Sequence, residues 1–322
     1  MTQVEDDSAG VRIDRGFNGG LVLAVLSAAS FGMAGPLARG LLEAGWSPGA
    51  VVLARLSIGA AALSPFAIIA LRGRWGLLRT QLRPLLVYGA LGLAGTQFCY
   101  FSAVGTMDVA PALLIEFTAP IAIVLWLWAR RGQRPQPLTL LGGGAAVLGL
   151  VLALDLASGA EVAWTGALWA FAAMIGNAAY FLIAGETEDV LPPIALAGVG
   201  LAIAAAVLAA LGVIGILPMH VNFAAAGYAV GAGPWWVPLL ALGLISAALA
   251  YASGTAAIRR LGSRVGSFVA LLEVVAAALF AWLLLDQLPG LSVLLGGLLI
   301  ITGVVLVRRA EPAQVRPSQS AC

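Results

Sequence analysis

The run Ala112-Leu113-Leu114-Ile115-Glu116-Phe117-Thr118-Ala119-Pro120 opens an apolar segment that ends in Arg130-Arg131, and a similar run recurs 157 residues later. There, Val269-Ala270-Leu271-Leu272-Glu273-Val274-Val275-Ala276-Ala277 opens a segment that ends at Asp286. Each copy sets one carboxylate inside a stretch long enough to cross a bilayer. A carboxylate at that depth is costly and ordinarily has a partner or a task. Glu116 and Glu273 thus mark a duplicated membrane chain and the first place to look for its function.

Working outward, 61% of the 322 residues are hydrophobic and 10% are charged, against about 25% charged in a soluble domain. Ten apolar segments near the ~20 residues that span hydrocarbon are predicted, at 18–38, 48–71, 84–105, 109–129, 138–155, 163–184, 194–217, 236–258, 265–285 and 290–307. The first is long for a signal-peptide core and reads as a retained span behind a polar tail, residues 1–17. The loop 218–235 is weakly polar and glycine-rich, and is expected along the membrane surface. Cys99 and Cys322 form no disulfide framework.

All 17 cations are arginine. With the N-terminus inside, inner segments hold Arg12 and Arg15; Arg72, Arg74, Arg79 and Arg83; Arg130, Arg131 and Arg134; Arg259, Arg260 and Arg264; and Arg308, Arg309 and Arg316. Outer segments hold only Arg39. This bias orients both termini to the cytoplasm. Glu43, Asp108, Asp155, Glu161 and Asp286 fall in outer loops, and Trp46, Trp164, Trp235 and Trp236 at outer ends, as an aromatic belt would place them. The loop with Glu186, Glu188 and Asp189 is predicted inside despite lacking arginine.

The repeat extends beyond the glutamates. Leu138-Thr139-Leu140-Leu141 before Gly143-Gly144 matches Leu291-Ser292-Val293-Leu294 before Gly296-Gly297, and Phe31-Gly32-Met33-Ala34 resembles Ile175-Gly176-Asn177-Ala178. Segments 1–5 (18–155) therefore repeat as 6–10 (163–307), with a C-terminal tail at 308–322. Five spans per copy require the second copy to be inverted, and the exchange of Arg130-Arg131 for Asp286 at equivalent ends fits that inversion. The expected fold is an all-α membrane protein of ten transmembrane helices in two inverted five-helix repeats. Inverted repeats are typical of secondary transporters with a midplane site between the halves.

This layout resembles the ten-helix EamA-type transporters of the drug/metabolite transporter superfamily. The resemblance rests on Ala54-Arg55-Leu56, the Ala112–Pro120 stretch, Leu271-Leu272-Glu273 and the closing residues 294–306, and it covers about 18–307. Ile115–Pro120 looks most like the threonine/homoserine exporter branch. The resemblance implies export of small metabolites, plausibly amino acids or related amphipathic compounds, by alternating access across an inner membrane. It also implies a cavity lined by segments 1, 3, 4, 6, 8 and 9, with 5 and 10 at the periphery.

Candidate site residues follow from helical spacing. Glu116 and Glu273 sit on small-residue faces, which pack against protein rather than lipid. Each reads as a protonation site or substrate-amine contact, or else as a carboxylate that only bonds a neighbouring helix. Arg55, alone among the cations in lying well inside a segment, sits at a depth of roughly 10–12 Å, similar to that of Glu116. An Arg55–Glu116 pair is expected, as a structural lock or as a gate or carboxylate-binding arginine; snorkelling is the third reading. Glu273 has no such partner and is the expected titrating group. Trp169, Asn177 and Tyr180 share a face of segment 6, Gln97 and Tyr100 one of segment 3, and Tyr251 comes from segment 8, beside Ser246 and Ser253. Each also admits a plain interhelical role. Pro36, Pro65, Pro111 and Pro120 either kink helices or occupy first turns.

The single histidine, His220, lies in a predicted outer loop, and no metal-ligand cluster, phosphate-binding loop or lysine occurs. An enzyme, a cofactor and nucleic-acid binding are therefore not expected. The expected partners are a small-molecule substrate, the lipid bilayer and protons as a candidate coupling ion, with the chain a monomer or homodimer. The alternatives are a metabolite facilitator or importer, a membrane-embedded enzyme and a scaffold.

Overall fold

In a computed structural model of the chain, residues 7–104, 115–153, 163–186, 191–229, 231–286 and 288–310 are described, excepting the side chains of 7–16, 101, 104 and 153. Asp108, Pro111, Ala112–Leu114, Asp155, Glu161, Glu188, Asp189, Gln287, Arg316 and Cys322 lie outside the described residues, as do the side chains of Arg12 and Arg15.

The first predicted span is two helices in line, α1 (Asp7–Gly32) and α2 (Ala34–Glu43). Pro36 cannot donate to the Gly32 carbonyl, which favours the step at Met33. Ser47 then starts α3 (Pro48–Ala70): its hydroxyl accepts from the Ala50 N–H, and Pro48 occupies a first-turn position where its missing N–H costs little. Pro65 lies within α3, which runs on through it. Two short helices, α4 (Gly76–Thr80) and α5 (Leu82–Leu86), lead into a π-helical segment, Val87–Gly95, and α6 (Thr96–Val104).

Helix α7 (Ala119–Arg131) has Pro120 in its first turn and ends on Gly132 in the left-handed region. There follow α8 (Pro137–Ala153), α9 (Trp164–Glu186) and α10 (Pro193–Val213). Helix α11 (Trp236–Gly243) passes through a second π-helical segment, Leu244–Leu249, into α12 (Ala250–Ala270). Gly262 (φ 80°, ψ 162°) turns α12 through a corner, so no extended loop separates the eighth and ninth predicted segments. Helix α13 (Leu272–Leu285) ends on Asp286, also left-handed, and α14 (Leu291–Ala310) closes the bundle.

Among the described residues, six helical stretches are long and apolar enough to cross a membrane: Phe17–Glu43, Pro48–Ala70, Trp164–Glu186, Pro193–Val213, Trp236–Ala270 and Leu291–Ala310. Pro137–Leu152 and Leu272–Leu285 are apolar but shorter. Large apolar side chains such as Phe66, Leu125, Leu148, Phe171 and Leu298 are exposed around the bundle, as a lipid-facing surface requires.

The helices pack in pairs across the two halves: α1 with α12, α9 with α6, α3 with α10, and α8 with α14. The α8–α14 crossing is close because glycine meets backbone. A Cβ on Gly149 would lie 2.6 Å from the Gly296 carbonyl oxygen, and one on Gly142 would lie 2.7 Å from that of Gly303.

The described residues of 218–235 are largely exposed and carry more structure than a plain loop. They form a two-stranded antiparallel hairpin, β1 (Ala226–Tyr228) and β2 (Gly231–Gly233), tied to the helix ends. Tyr228 Oη donates to the Leu37 carbonyl at 2.6 Å, the Ala229 N–H to the Leu284 carbonyl at 2.8 Å, and Ser47 Oγ to the Pro218 carbonyl at 2.7 Å. Burial, and then the charge of Glu43, push the Tyr228 hydroxyl up to about 12, so it remains a donor at physiological pH. Trp46 is not a belt residue. It is buried, bonds the Asn222 carbonyl and packs on Trp235, whereas Trp164 and Trp236 are exposed.

Candidate functional site

A cavity of about 710 Å³ lies between the halves, within the range of small-molecule sites. Its floor is formed by the buried residues Ala24, Ala257 and Ile258, and its lining runs to Leu42, Leu285 and the exposed Arg39 at the rim. The mouth therefore opens at the end of the bundle that carries the hairpin. At the opposite end the helices are shut: a Cβ on Gly20 would lie 2.9 Å from the Leu261 side chain. There Arg131 also pairs with Glu186 at 2.7 Å, and Arg264 donates to the Gln133 carbonyl.

Of the residues singled out in the sequence, Arg55, Gln97, Tyr100, Glu116, Asn177, Tyr180, Tyr251 and Glu273 all line this cavity. Trp169 does not. It shares a face of α9 with Asn177 but lies eight residues away, about 12 Å along the axis, where it is part-exposed and packs edge-on against Phe98 at 5.5 Å. Ser246 and Ser253 are buried outside the cavity lining, and Ser253 Oγ donates to the Leu249 carbonyl.

The expected Arg55–Glu116 ion pair is not formed. Among the described residues the ion pairs are Arg39–Glu43 and Arg131–Glu186. Arg55 Nη2 instead donates to the Ser246 carbonyl at 2.7 Å, within the second π-helical segment, and its guanidinium carbon lies 5.9 Å from the centre of the Phe31 ring. Arg55 and Glu273 both line the cavity, from α3 and α13. Depth along a helix does not fix azimuth: α3 packs against the π-helical segment before α12, where Arg55 finds its acceptor. Arg55 is 7% exposed and its Nε has no hydrogen-bond partner. Arg55 also lines the cavity, and a guanidinium is suited to receive a carboxylate.

Aromatic rings continue the wall. Phe31 meets Tyr251 edge-on at 4.8 Å, and Tyr180 lies 5.8 Å from Tyr251 and 4.9 Å from Phe181. Phe31, Ser27, Thr96 and Phe117 also line the cavity and were not singled out in the sequence. Phe31 had a signal, since it opens the Phe31-Gly32-Met33-Ala34 repeat motif. Segments 1, 3, 4, 6, 8 and 9 all contribute, but so does segment 2, through Val51, Val52 and Arg55; segment 10 adds only Val293.

The EamA-like transporter family matches this chain twice, over residues 18–154 and 164–309. The chain belongs to the EamA-like transporter family. It is a multi-pass membrane transporter with a small-molecule substrate, not an enzyme. The threonine/homoserine exporter RhtA of Salmonella typhimurium (strain LT2) is 29% identical over 302 residues, covering 91% of this chain and 93% of the relative. That of Escherichia coli (strain K12) is 28% identical over 282 residues, 83% of each chain. A solved crystal structure superposes with a TM-score of 0.70 at 23% identity, covering 92% of this chain and 98% of the other, which shows the fold alone. The resemblance read from the sequence is thus borne out.

Proposed function

We propose that this EamA transporter exports zwitterionic solutes of amino-acid type, with its ten spans in two inverted halves and both termini cytoplasmic. The observation that carries this reading is the convergence of one buried arginine and two glutamates on one cavity between the halves. A solute carboxylate binds the Arg55 guanidinium. Its ammonium lies toward Glu273 and Glu116, and its side chain lies along Phe31, Tyr180 and Tyr251. A carboxylate that holds the ammonium cannot also hold a proton. Solute and proton thus compete for Glu273, which is the requirement for proton exchange. The arginine-rich end faces the cytoplasm, so the mouth beside Arg39 faces outward.

The test is counterflow of labelled amino acids in proteoliposomes, with and without an imposed pH gradient. Accumulation driven by the gradient supports exchange. Saturable counterflow indifferent to it makes the protein a facilitator, and no flux of any amino acid refutes the substrate class.

A further inference from the structure

The two ends of the cavity are built from corresponding helix ends, each carrying an arginine and a carboxylate on neighbouring helices. Helix α7 ends on Arg131 followed by left-handed Gly132 (φ 65°), and its counterpart α13 ends on Leu285 followed by left-handed Asp286 (φ 56°). Asp286 is the one positive-φ residue other than glycine among the described residues. Helix α9 ends on Glu186 and its counterpart α2 on Glu43, with Arg39 one turn earlier on α2. The same pair of helix ends thus carries Arg131 and Glu186 at one end of the bundle, and Asp286 with the Arg39–Glu43 pair at the other.

Their states differ. At the shut end Arg131 Nη2 and Glu186 Oε1 are 2.7 Å apart. At the open end Arg39 is turned back to Glu43 of its own helix, also at 2.7 Å, and the mouth lies between Arg39 and Leu42 on one lip and Leu285 on the other. The lips are near neighbours: α2 contacts α13, and the hairpin bonds both Leu37 and Leu284.

We infer that the mouth closes on an Arg39–Asp286 ion pair, formed as the Arg131–Glu186 pair opens, so that the two latches alternate. This rests on the proposed alternating-access reading, but its test needs no substrate. When the mouth closes, Arg39 exchanges its exposed i,i+4 partner for Asp286, and at the far end Arg131 and Glu186 separate into water. Both observed pairs are half-exposed, so each biases the equilibrium modestly.

The experiment places spin labels at Ala44→Cys and Leu288→Cys, one on each lip, in a background lacking Cys99 and Cys322. Pulsed electron–electron distance measurements in nanodiscs then give the ratio of short to long separations. Glu186→Gln is expected to raise that ratio about two- to fivefold, because it releases the far latch. Glu43→Gln, which frees Arg39, is expected to raise it up to about twofold. Asp286→Asn keeps a residue tolerant of the left-handed region and is expected to lower it about two- to fivefold. Combining Glu186→Gln with Asp286→Asn is expected to bring it back toward the parent value. If Asp286→Asn leaves the ratio unchanged or raises it, or if Glu186→Gln and Asp286→Asn move it in the same direction, the alternating latch is wrong. Absence of amino-acid flux in the parent, with these shifts intact, would overturn the substrate reading instead.

Discussion

Replacing Arg55 separates the carboxylate-binding reading from a merely structural one. The guanidinium spends one N–H on the Ser246 carbonyl, and Arg55 lines the cavity. A solute carboxylate that binds the guanidinium gains charge-assisted hydrogen bonds, each worth about 1.5–3 kcal/mol. Losing one such bond raises KM about 10- to 150-fold. Arg55→Lys keeps the charge but loses the planar fork and, with its shorter reach, the bond to Ser246. It is therefore expected to retain counterflow with KM raised within that range and kcat nearly unchanged. The decisive comparison is between an amino acid and its carboxamide. For the parent the acid should be strongly preferred; for Arg55→Lys and Arg55→Gln that preference should shrink by about the same 10- to 150-fold. Thermal melting of each variant in detergent checks that the fold persists. If acid and amide lose transport equally in a folded variant, Arg55 positions the π-helical segment rather than the solute, and the argument fails.

Glu273→Gln should abolish flux driven by a pH gradient while downhill counterflow persists, because the amide cannot carry a proton; gradient-driven flux that survives places the coupling elsewhere. Tyr228→Phe removes the 2.6 Å bond from the hairpin to Leu37 and should cost about 1 kcal/mol locally, read as roughly fivefold faster amide exchange across 226–233. Gly149→Val forces a side chain against the Gly296 carbonyl at the α8–α14 crossing. It should destabilise the protein by about 1–3 kcal/mol, seen as a lower Tm with KM unchanged, since neither Gly149 nor Gly296 lines the cavity.

Much of the site was legible because helical spacing and the repeat both point inward. Glu116 and Glu273, Gln97 with Tyr100, and Asn177 with Tyr180 reach one cavity because polar groups in membrane helices turn toward protein. Three features were not legible. Two residues at similar depth can lie on different sides of a bundle, and Arg55 bonds the Ser246 carbonyl rather than pairing with Glu116. Trp169 lies on the right face but about 12 Å from Asn177 along the axis. The π-helical segments leave no mark in a 3.6-residue pattern, yet they begin at Val87 and Leu244, 157 residues apart, the same offset as Glu116 and Glu273. That coincidence extends the duplication to backbone geometry. It also explains the Arg55 anchor, because a π turn departs from regular i→i−4 bonding at the place where Ser246 accepts from the arginine.

The halves are alike in sequence but not in conformation, and prolines account for part of the difference. Pro36 follows the Gly32–Met33 step between α1 and α2, whereas the matching position of the second half is Tyr180, inside the unbroken α9. Pro120 follows the turn at Phe117–Thr118, just after Glu116, whereas its counterpart is Ala277, inside α13. Both prolines remove an N–H that would bond the carbonyl four residues earlier, Gly32 in one case and Glu116 in the other. The first half thus carries hinges that the second lacks, and α2 with Arg39 hangs on one of them. Gly32 lies so close to α13 that a Cβ there would sit 2.8 Å from the Ala277 nitrogen, so α1 is held at the crossing while α2 can swing beyond it. Pro36→Ala restores the missing bond and removes a proline cost of up to about 3 kcal/mol. It should raise Tm and lower kcat for counterflow with KM little changed, because the solute contacts are intact and the swing of α2 is stiffened. An unchanged kcat in a variant whose Tm has risen would show that the step at Met33 is not where the lip bends.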